Sequence, residues 1–273
     1  MTNKYVLSIA GSDPSGGAGI QADLKTFTTL GVYGSAVITS LTVQNSEGIK
    51  EIVYLDPDFV KEQIKAVLED IEISFIKTGM MGNSMIAKAA GELVDGKFLI
   101  CDPVFYSKTG KKLFDNDYID IFENYIVSQC LVLTPNYNEL LILSGNREND
   151  PVKAGEIVLN KFDRLKAIVI KGGHINADSE FSIDILLLKS GMSIDRRDFS
   201  HPRIRTENTH GTGCTFSSAL TAYLALGESI EISAQKASEY VHRLIKLASI
   251  NKIGRGNGPL PHFLLCRDNK EDV

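Results

Sequence analysis

Long hydrophobic runs are missing from this chain of 273 residues. No stretch reaches the roughly 18 apolar residues needed to cross a bilayer, so no membrane-spanning helix is expected. The apolar segment Tyr5 to Ala10 is too short for the core of a secretion signal, and Gly11-Ser12-Asp13-Pro14 breaks it. Cysteine is scarce. Cys101, Cys130, Cys214 and Cys266 stand far apart without a C-x-x-C, and the five histidines never fall at metal-ligand spacing. Neither a disulfide framework nor a structural zinc is expected, and free thiols suit a reducing compartment. An excess of positive charge is also absent: 29 Lys+Arg against 34 Asp+Glu leave a net charge of −5, with a pI near 5.6. The basic residues are scattered, so nucleic acid is not an expected partner. The reading is a cytoplasmic protein with neither membrane nor nucleic acid as a partner.

What is present is ordinary globular material, 43% apolar and 23% charged, which excludes disorder as the main state. Nothing in the composition marks a linker or a repeat. One domain is expected over residues 1–265, followed by a polar tail, 266–273. Short apolar runs rich in β-branched residues alternate with longer runs of helical period. Strands are expected at Tyr5–Ala10, Ser35–Val43, Ser74–Lys77, Phe98–Cys101, Cys130–Leu133 and Ala167–Ile170. Helices are expected at Ala18–Leu30, Pro57–Asp70, Ser84–Val94, Asn116–Ile126, Asn136–Leu143, Val152–Phe162, Gly213–Leu226 and Ile230–Ile250. The βαβα order predicts an α/β fold with a central, mostly parallel sheet and helices on both faces. Ile183–Lys189 and Met192–Phe199 flank Ser190-Gly191 and predict an antiparallel hairpin at one edge.

Ligands of such sheets bind beyond the carboxyl ends of the strands, and the chemically informative residues follow the expected strands. Thr209-His210-Gly211-Thr212-Gly213-Cys214-Thr215 leads into an apolar helix, which brings backbone N–H groups and a positive helix end to one point, an anion site. The helix field is expected to lower the Cys214 thiol pKa, so that the thiolate could take a proton from an attacking hydroxyl. A flexible helix entry with a small cysteine is the plain alternative.

Gly17-Ala18-Gly19-Ile20-Gln21-Ala22 matches G-x-G-x-x-A, but the second strand ends Leu41-Thr42-Val43-Gln44 without the acidic residue a dinucleotide site needs. Gly17 stands where a Walker A loop would need lysine. Asp102 and Glu139 could share a magnesium ion through water, and Lys171 could balance phosphate charge. Separately each has a structural reading: a turn before Pro103, a helix cap from Asn136 and Glu139, a solvated lysine. Gln44 carries a donor and an acceptor on one planar group, which complements an exocyclic amine beside a ring nitrogen. Capping the strand end is its alternative role.

The string Ala10-Gly11-Ser12-Asp13-Pro14-Ser15-Gly16-Gly17-Ala18-Gly19-Ile20-Gln21-Ala22-Asp23-Leu24-Lys25 resembles the hydroxymethylpyrimidine/phosphomethylpyrimidine kinases of thiamine biosynthesis, in the ribokinase-like superfamily. The resemblance continues through Thr42-Val43-Gln44-Asn45, Lys77-Thr78-Gly79-Met80, Asp102-Pro103-Val104, Thr134-Pro135-Asn136 with Glu139, and Lys171-Gly172-Gly173-His174. It ends with Asn208 to Cys214 and Gly258-Pro259-Leu260, and so spans roughly residues 4 to 262 in order. It implies a pyrimidine pocket lined by Gly11, Asp23, Gln44 and the Val43 backbone, and an anion hole of Gly211, Thr212 and Gly213. It puts Cys214 at the base position, where most of the superfamily has aspartate. Asn136, Glu139 and Asp102 fall on the Mg²⁺ and phosphate side, with Lys171 as the phosphate cation. Two departures stand out: Phe105-Tyr106 after Val104, which is expected to reshape the pocket rim, and short spacing around Ser144 to Lys166, which is expected to trim a surface helix.

The implied activity is ATP- and Mg²⁺-dependent phosphorylation of 4-amino-5-hydroxymethyl-2-methylpyrimidine and then of its monophosphate, by a homodimer. The alternative enzyme is a pyridoxal kinase, against which Gln44 argues. A non-catalytic pyrimidine-binding protein would show damaged phosphoryl machinery, and Cys214, Lys171, Asn136, Glu139 and the loop glycines are all in place.

Overall fold

The computed structural model describes residues 4–106, 110, 112–114, 117–174, 178–191 and 193–266. Asn116 and Met192, which open two expected elements, and the tail beyond Cys266 lie outside them.

One nine-stranded sheet organises the chain. In chain order its strands are β1 (Tyr5–Ser12), β2 (Tyr33–Asn45), β3 (Gly48–Tyr54), β4 (Phe75–Thr78), β5 (Phe98–Cys101), β6 (Cys130–Leu133), β7 (Ala167–Ile170), β8 (Phe181–Ser190) and β9 (Ser193–Pro202). The spatial order is β3-β2-β1-β4-β5-β6-β7-β8-β9. The run from β2 to β7 is parallel, and β8 and β9 form the expected antiparallel hairpin.

The other edge is antiparallel too, through a strand that was not expected from the sequence. β2 turns at Ser46-Glu47 and returns as β3. A bulge between Val43 and Gln44 pairs Val43 with Glu51 but Gln44 with Ile49. That slip breaks the period-two signature in Gly48–Tyr54, so the strand does not read as one.

Successive side chains on the central strands point to opposite faces, and both faces are dry. Leu7, Ile9, Ile168 and Ile170 meet one set of helices: α2 (Pro57–Asp70), α3 (Ser84–Gly91), α4 (Tyr118–Tyr125), α5 (Tyr137–Leu143) and α6 (Pro151–Lys161). Ile100, Val132, Ala167 and Val169 meet α7 (Thr212–Ala225) and α8 (Ile230–Ile250) on the other face. There Val6 and Phe27 seat α1 (Gly19–Thr29) against Ala222 and Ala225 of α7. No helix among the described residues is long and apolar enough to cross a membrane. In the stretch of short spacing, α6 runs from Pro151 to Lys161, capped by Asp150 with Pro151 at its first position.

The helix starts differ in a way that matters for the site. Asp56, Asn83, Asn136 and Ser229 cap α2, α3, α5 and α8 with side-chain oxygens. α1 and α7 begin at Ala18 and Gly211 with no side-chain cap. At α7 this leaves the Gly213 and Cys214 amides without a capping side chain, facing the cleft.

Candidate active site

A cleft of about 1050 Å³ opens at the carboxyl ends of the parallel strands. It lies where the chain switches from building the sheet on one side of β1 to building on the other, the usual ligand position in open α/β sheets. Every parallel strand from β1 to β7 except β4 ends in a charged or polar wall residue: Asp13 after β1, Asp102 after β5, Asn136 and Glu139 after β6, Lys171 after β7; β4 contributes Met80. Gln44 lies at the end of β2 itself.

Two loops close one side, and Asp13 ties them together. One carboxylate oxygen accepts the Ser15 N–H and hydroxyl at 2.9 and 2.7 Å. The other accepts the Gly17 and Ala18 N–H groups at 3.1 and 2.8 Å and His210 Nε2–H at 2.8 Å. Burial pushes this carboxyl up, but the hydrogen bonds from His210 and Ser15 outweigh it and hold Asp13 below the usual carboxylate range. Gly211 has φ +82°, and a Cβ there would fall 1.8 Å from the Gly17 carbonyl oxygen. Only glycine lets the backbones meet this closely.

Proton bookkeeping orients Gln44. Its amide lies 3.2 Å from His210 Nε2 and 3.2 Å from Thr42 Oγ1. A carboxylate only accepts, so His210 Nε2 carries the proton it gives Asp13 and cannot also accept one. The Thr42 hydroxyl already donates to the Ser12 carbonyl at 2.9 Å. Both neighbours are satisfied when the Gln44 carbonyl faces His210 and its NH₂ faces Thr42. One N–H and one carbonyl lone pair of Gln44 then stay available to a ligand.

The opposite wall is a charge cluster. Lys171 Nζ lies 2.5 Å from Asp102 and 3.9 Å from Glu139. Asn136 and Glu139 make the expected reciprocal cap of α5. Burial pushes the Glu139 carboxyl up to about 7, Lys171 opposes this, and Asp102 adds to it. A Cβ at Gly213 would stand 3.2 Å from Lys171 Nζ and 3.5 Å from Asp102. The open amides of α7 and this cluster therefore share one small volume. Beyond Lys171 the cleft continues to Asp184, Ser238 and the stacked rings of His201 and His242, 4.7 Å apart.

The family model for phosphomethylpyrimidine kinase matches residues 13–261. The chain belongs to the phosphomethylpyrimidine kinase family. It is 40% identical over 271 residues to the thiamine biosynthesis bifunctional protein ThiED of Geobacter sulfurreducens, covering 97% of this chain but 54% of that one. It thus spans about half the length of that relative. It is 37% identical over 266 residues to the hydroxymethylpyrimidine/phosphomethylpyrimidine kinase of Staphylococcus aureus strain Mu50, covering 95% and 94% of the two chains. Among solved structures, the pyridoxal kinase of Staphylococcus aureus in complex with ADP is similar at a TM-score of 0.83 and 32% identity, covering 96% and 94%.

In this family member the cleft wall includes Gly11, Gln44, Asp102, Asn136, Glu139, Lys171, Gly211, Thr212, Gly213 and Cys214, all named from the sequence. One other named residue stands elsewhere. Asp23 is fully buried behind the wall, where it accepts from Lys77, Ser8 and Ser218. Val43 was named for its backbone, next to Gln44 on β2; its side chain is about half exposed, turned by alternation to the face opposite Gln44. Of the Phe105-Tyr106 pair, Phe105 is buried against Phe114, Tyr118 and Phe122, and only Tyr106 reaches the cleft.

The Cys214 thiol corrects a further expectation. Burial pushes it up to about 11, with the carboxylates of Asp23 and Asp102 adding to the effect. Lys77 and the Gly19 N–H, which points at the sulfur, pull the other way and lose. The helix end alone does not make a thiolate. Asp13 and His210 were missed as members of the site, and Lys77 as the buried partner of Asp23. The loop glycines mark their neighbourhood, but nothing local to His210 announces a partner 197 positions away.

Proposed function

We propose that this kinase uses ATP and Mg²⁺ to phosphorylate the hydroxymethyl group of 4-amino-5-hydroxymethyl-2-methylpyrimidine, and then the monophosphate to the diphosphate, for thiamine biosynthesis. The observation that carries this reading is that Gln44, Cys214 and the uncapped start of α7 line one cleft. Gln44's free lone pair suits the 4-amino group and its free N–H suits the neighbouring ring nitrogen. The hydroxymethyl group then faces Cys214. The amides of Gly213 and Cys214, with the helix end, stabilise charge on the transferring phosphoryl group. Cys214 accepts the alcohol proton once it is a thiolate.

The donor set fits a hydrated magnesium ion. Asp102 and Glu139 are hard oxygen donors with one lysine between them. Bound there, the ion would neutralise phosphate charge. Lys171 would turn from Asp102 toward the phosphates, and the compartment of His201, His242 and Asp184 would take the nucleobase.

The protein acts as one kinase domain over residues 1–265, in the cytoplasm, as a homodimer. Leu41, Val43 and Val53 support the dimer: all three are about half exposed on one face of the β2–β3 edge, with Leu41 paired to Val53. Likeness to a pyridoxal kinase structure favours a second reading, vitamin B6 phosphorylation. A panel of alcohols with ATP and Mg²⁺, with products identified by mass, separates the two. A mono- and then a diphosphate of the aminopyrimidine is the expected result, and a higher kcat/KM for pyridoxal overturns it.

A further inference from the structure

The ion pair beneath the cleft has no role in the reading above. Lys77 of β4 and Asp23 of α1 are both fully buried. The ammonium lies 3.0 and 2.8 Å from the two carboxylate oxygens, and the Ser8 and Ser218 hydroxyls add bonds of 2.5 and 2.7 Å. Taking two charges out of water is costly, and apolar residues of the same shape commonly do as well for stability. A cation kept here therefore calls for a reason other than packing.

Its position supplies one. Four elements meet at the pair, and two of them also hold Cys214. Ser218 lies one turn beyond Cys214 on α7. Gly19, whose N–H points at the sulfur, lies one turn before Asp23 on α1. A Cβ at Gly79 would crowd the ammonium at 2.9 Å, so glycine leaves it room. Four charges act on the sulfur: Lys77 and Lys171 favour its anion, and Asp23 and Asp102 oppose it. Lys171 is on the cleft wall and is engaged by Asp102. Lys77 is fully buried, stands behind the cleft wall and is held by Asp23.

We propose that Lys77 is a positioning residue, the buried cation that offsets part of the cost of the Cys214 thiolate that takes the alcohol proton. Asp23 holds the cation in place. The proposal rests on the base role given to Cys214. In the step, the alcohol oxygen bonds to the γ-phosphorus as the bond from that phosphorus to the bridging oxygen of the nucleoside diphosphate breaks. The alcohol proton passes to the thiolate, giving a neutral thiol that later releases it to water, and Lys77 keeps its own proton throughout.

The test is alkylation of Cys214 by iodoacetamide in the full chain at mildly alkaline pH, without substrate. It is read by mass on the Cys214 peptide so that the exposed Cys266 does not contribute. Asp23→Asn removes an opposing anion and leaves the cation, so the rate should rise severalfold. The double variant Lys77→Met with Asp23→Asn strands no charge, loses the stronger influence, and should react about tenfold more slowly than Asp23→Asn, the factor for one pKa unit. A purely structural pair would move both variants the same way. Rates indistinguishable from wild type, or shifts of one sign in proteins that melt cooperatively, would overturn the proposal. Failure of the base role is distinguishable: Cys214→Ala would then turn over normally while the alkylation pattern held.

Discussion

Gly211→Ala is the sharpest perturbation of the phosphoryl site. An alanine at φ +82° pays the left-handed penalty of about 1 kcal/mol. Its Cβ would lie 1.8 Å from the Gly17 carbonyl oxygen, so the two loops must separate by roughly 1 Å or more to restore van der Waals contact. The Gly17 loop is held by the hydrogen bonds to Asp13, so the start of α7 is the part that yields. A misplacement of about 1 Å costs on the order of 100-fold in rate, and loss of one anion-hole donor costs about 100- to 1000-fold. Initial-rate kinetics with ATP, Mg²⁺ and the aminopyrimidine alcohol should show kcat down by about two to three orders of magnitude. KM for the alcohol should change little, because Gln44 stands at the end of β2 and not on either of the two loops. A thermal melt should show a loss of about 2 kcal/mol. Wild-type kcat at an unchanged melting temperature would mean that the start of α7 is not where the phosphoryl group is held.

Three further outcomes are expected. Cys214→Ala should lower kcat by about 100- to 10,000-fold with KM nearly unchanged; steady-state kinetics check this, and near-normal turnover removes Cys214 from the base role. Gln44→Leu should weaken the aminopyrimidine by about 1 to 3 kcal/mol and leave ATP affinity alone, as two calorimetric titrations would show; equal binding of the alcohol refutes the assignment. His262 is held neutral: burial pulls its pKa down to about 4, with Thr215 and the Leu260 carbonyl as partners. A folded pKa below the ordinary 6.5 means that its contribution is complete above pH 6.5 and is lost as pH falls toward 4. The loss is on the order of 3 kcal/mol. Wild-type melting temperatures should therefore drop more steeply over that range than those of His262→Gln, and parallel curves would refute it.

The parallel core was legible because its strands are short, apolar and bounded by turns, and Phe98–Cys101, Cys130–Leu133 and Ala167–Ile170 appear with the expected bounds. β3 was not, because a bulge put its alternation out of phase. The wall residues could be named because each directly follows a strand or opens a helix. Asp23 was misplaced because a carboxylate on a motif helix says nothing of which way it turns, and the lysine that claims it lies 54 positions on. The Cys214 thiol was misjudged for a related reason. The helix end is visible in sequence, but the burial and the two carboxylates that outweigh it belong to tertiary structure.

If Gln44 and Cys214 face one alcohol across the cleft, a saturating concentration of the aminopyrimidine alcohol should shield Cys214 from iodoacetamide. The shielding should vanish in Gln44→Leu at the same concentration. A Cys214 alkylation rate in wild-type protein that does not change when the alcohol is added would contradict this arrangement.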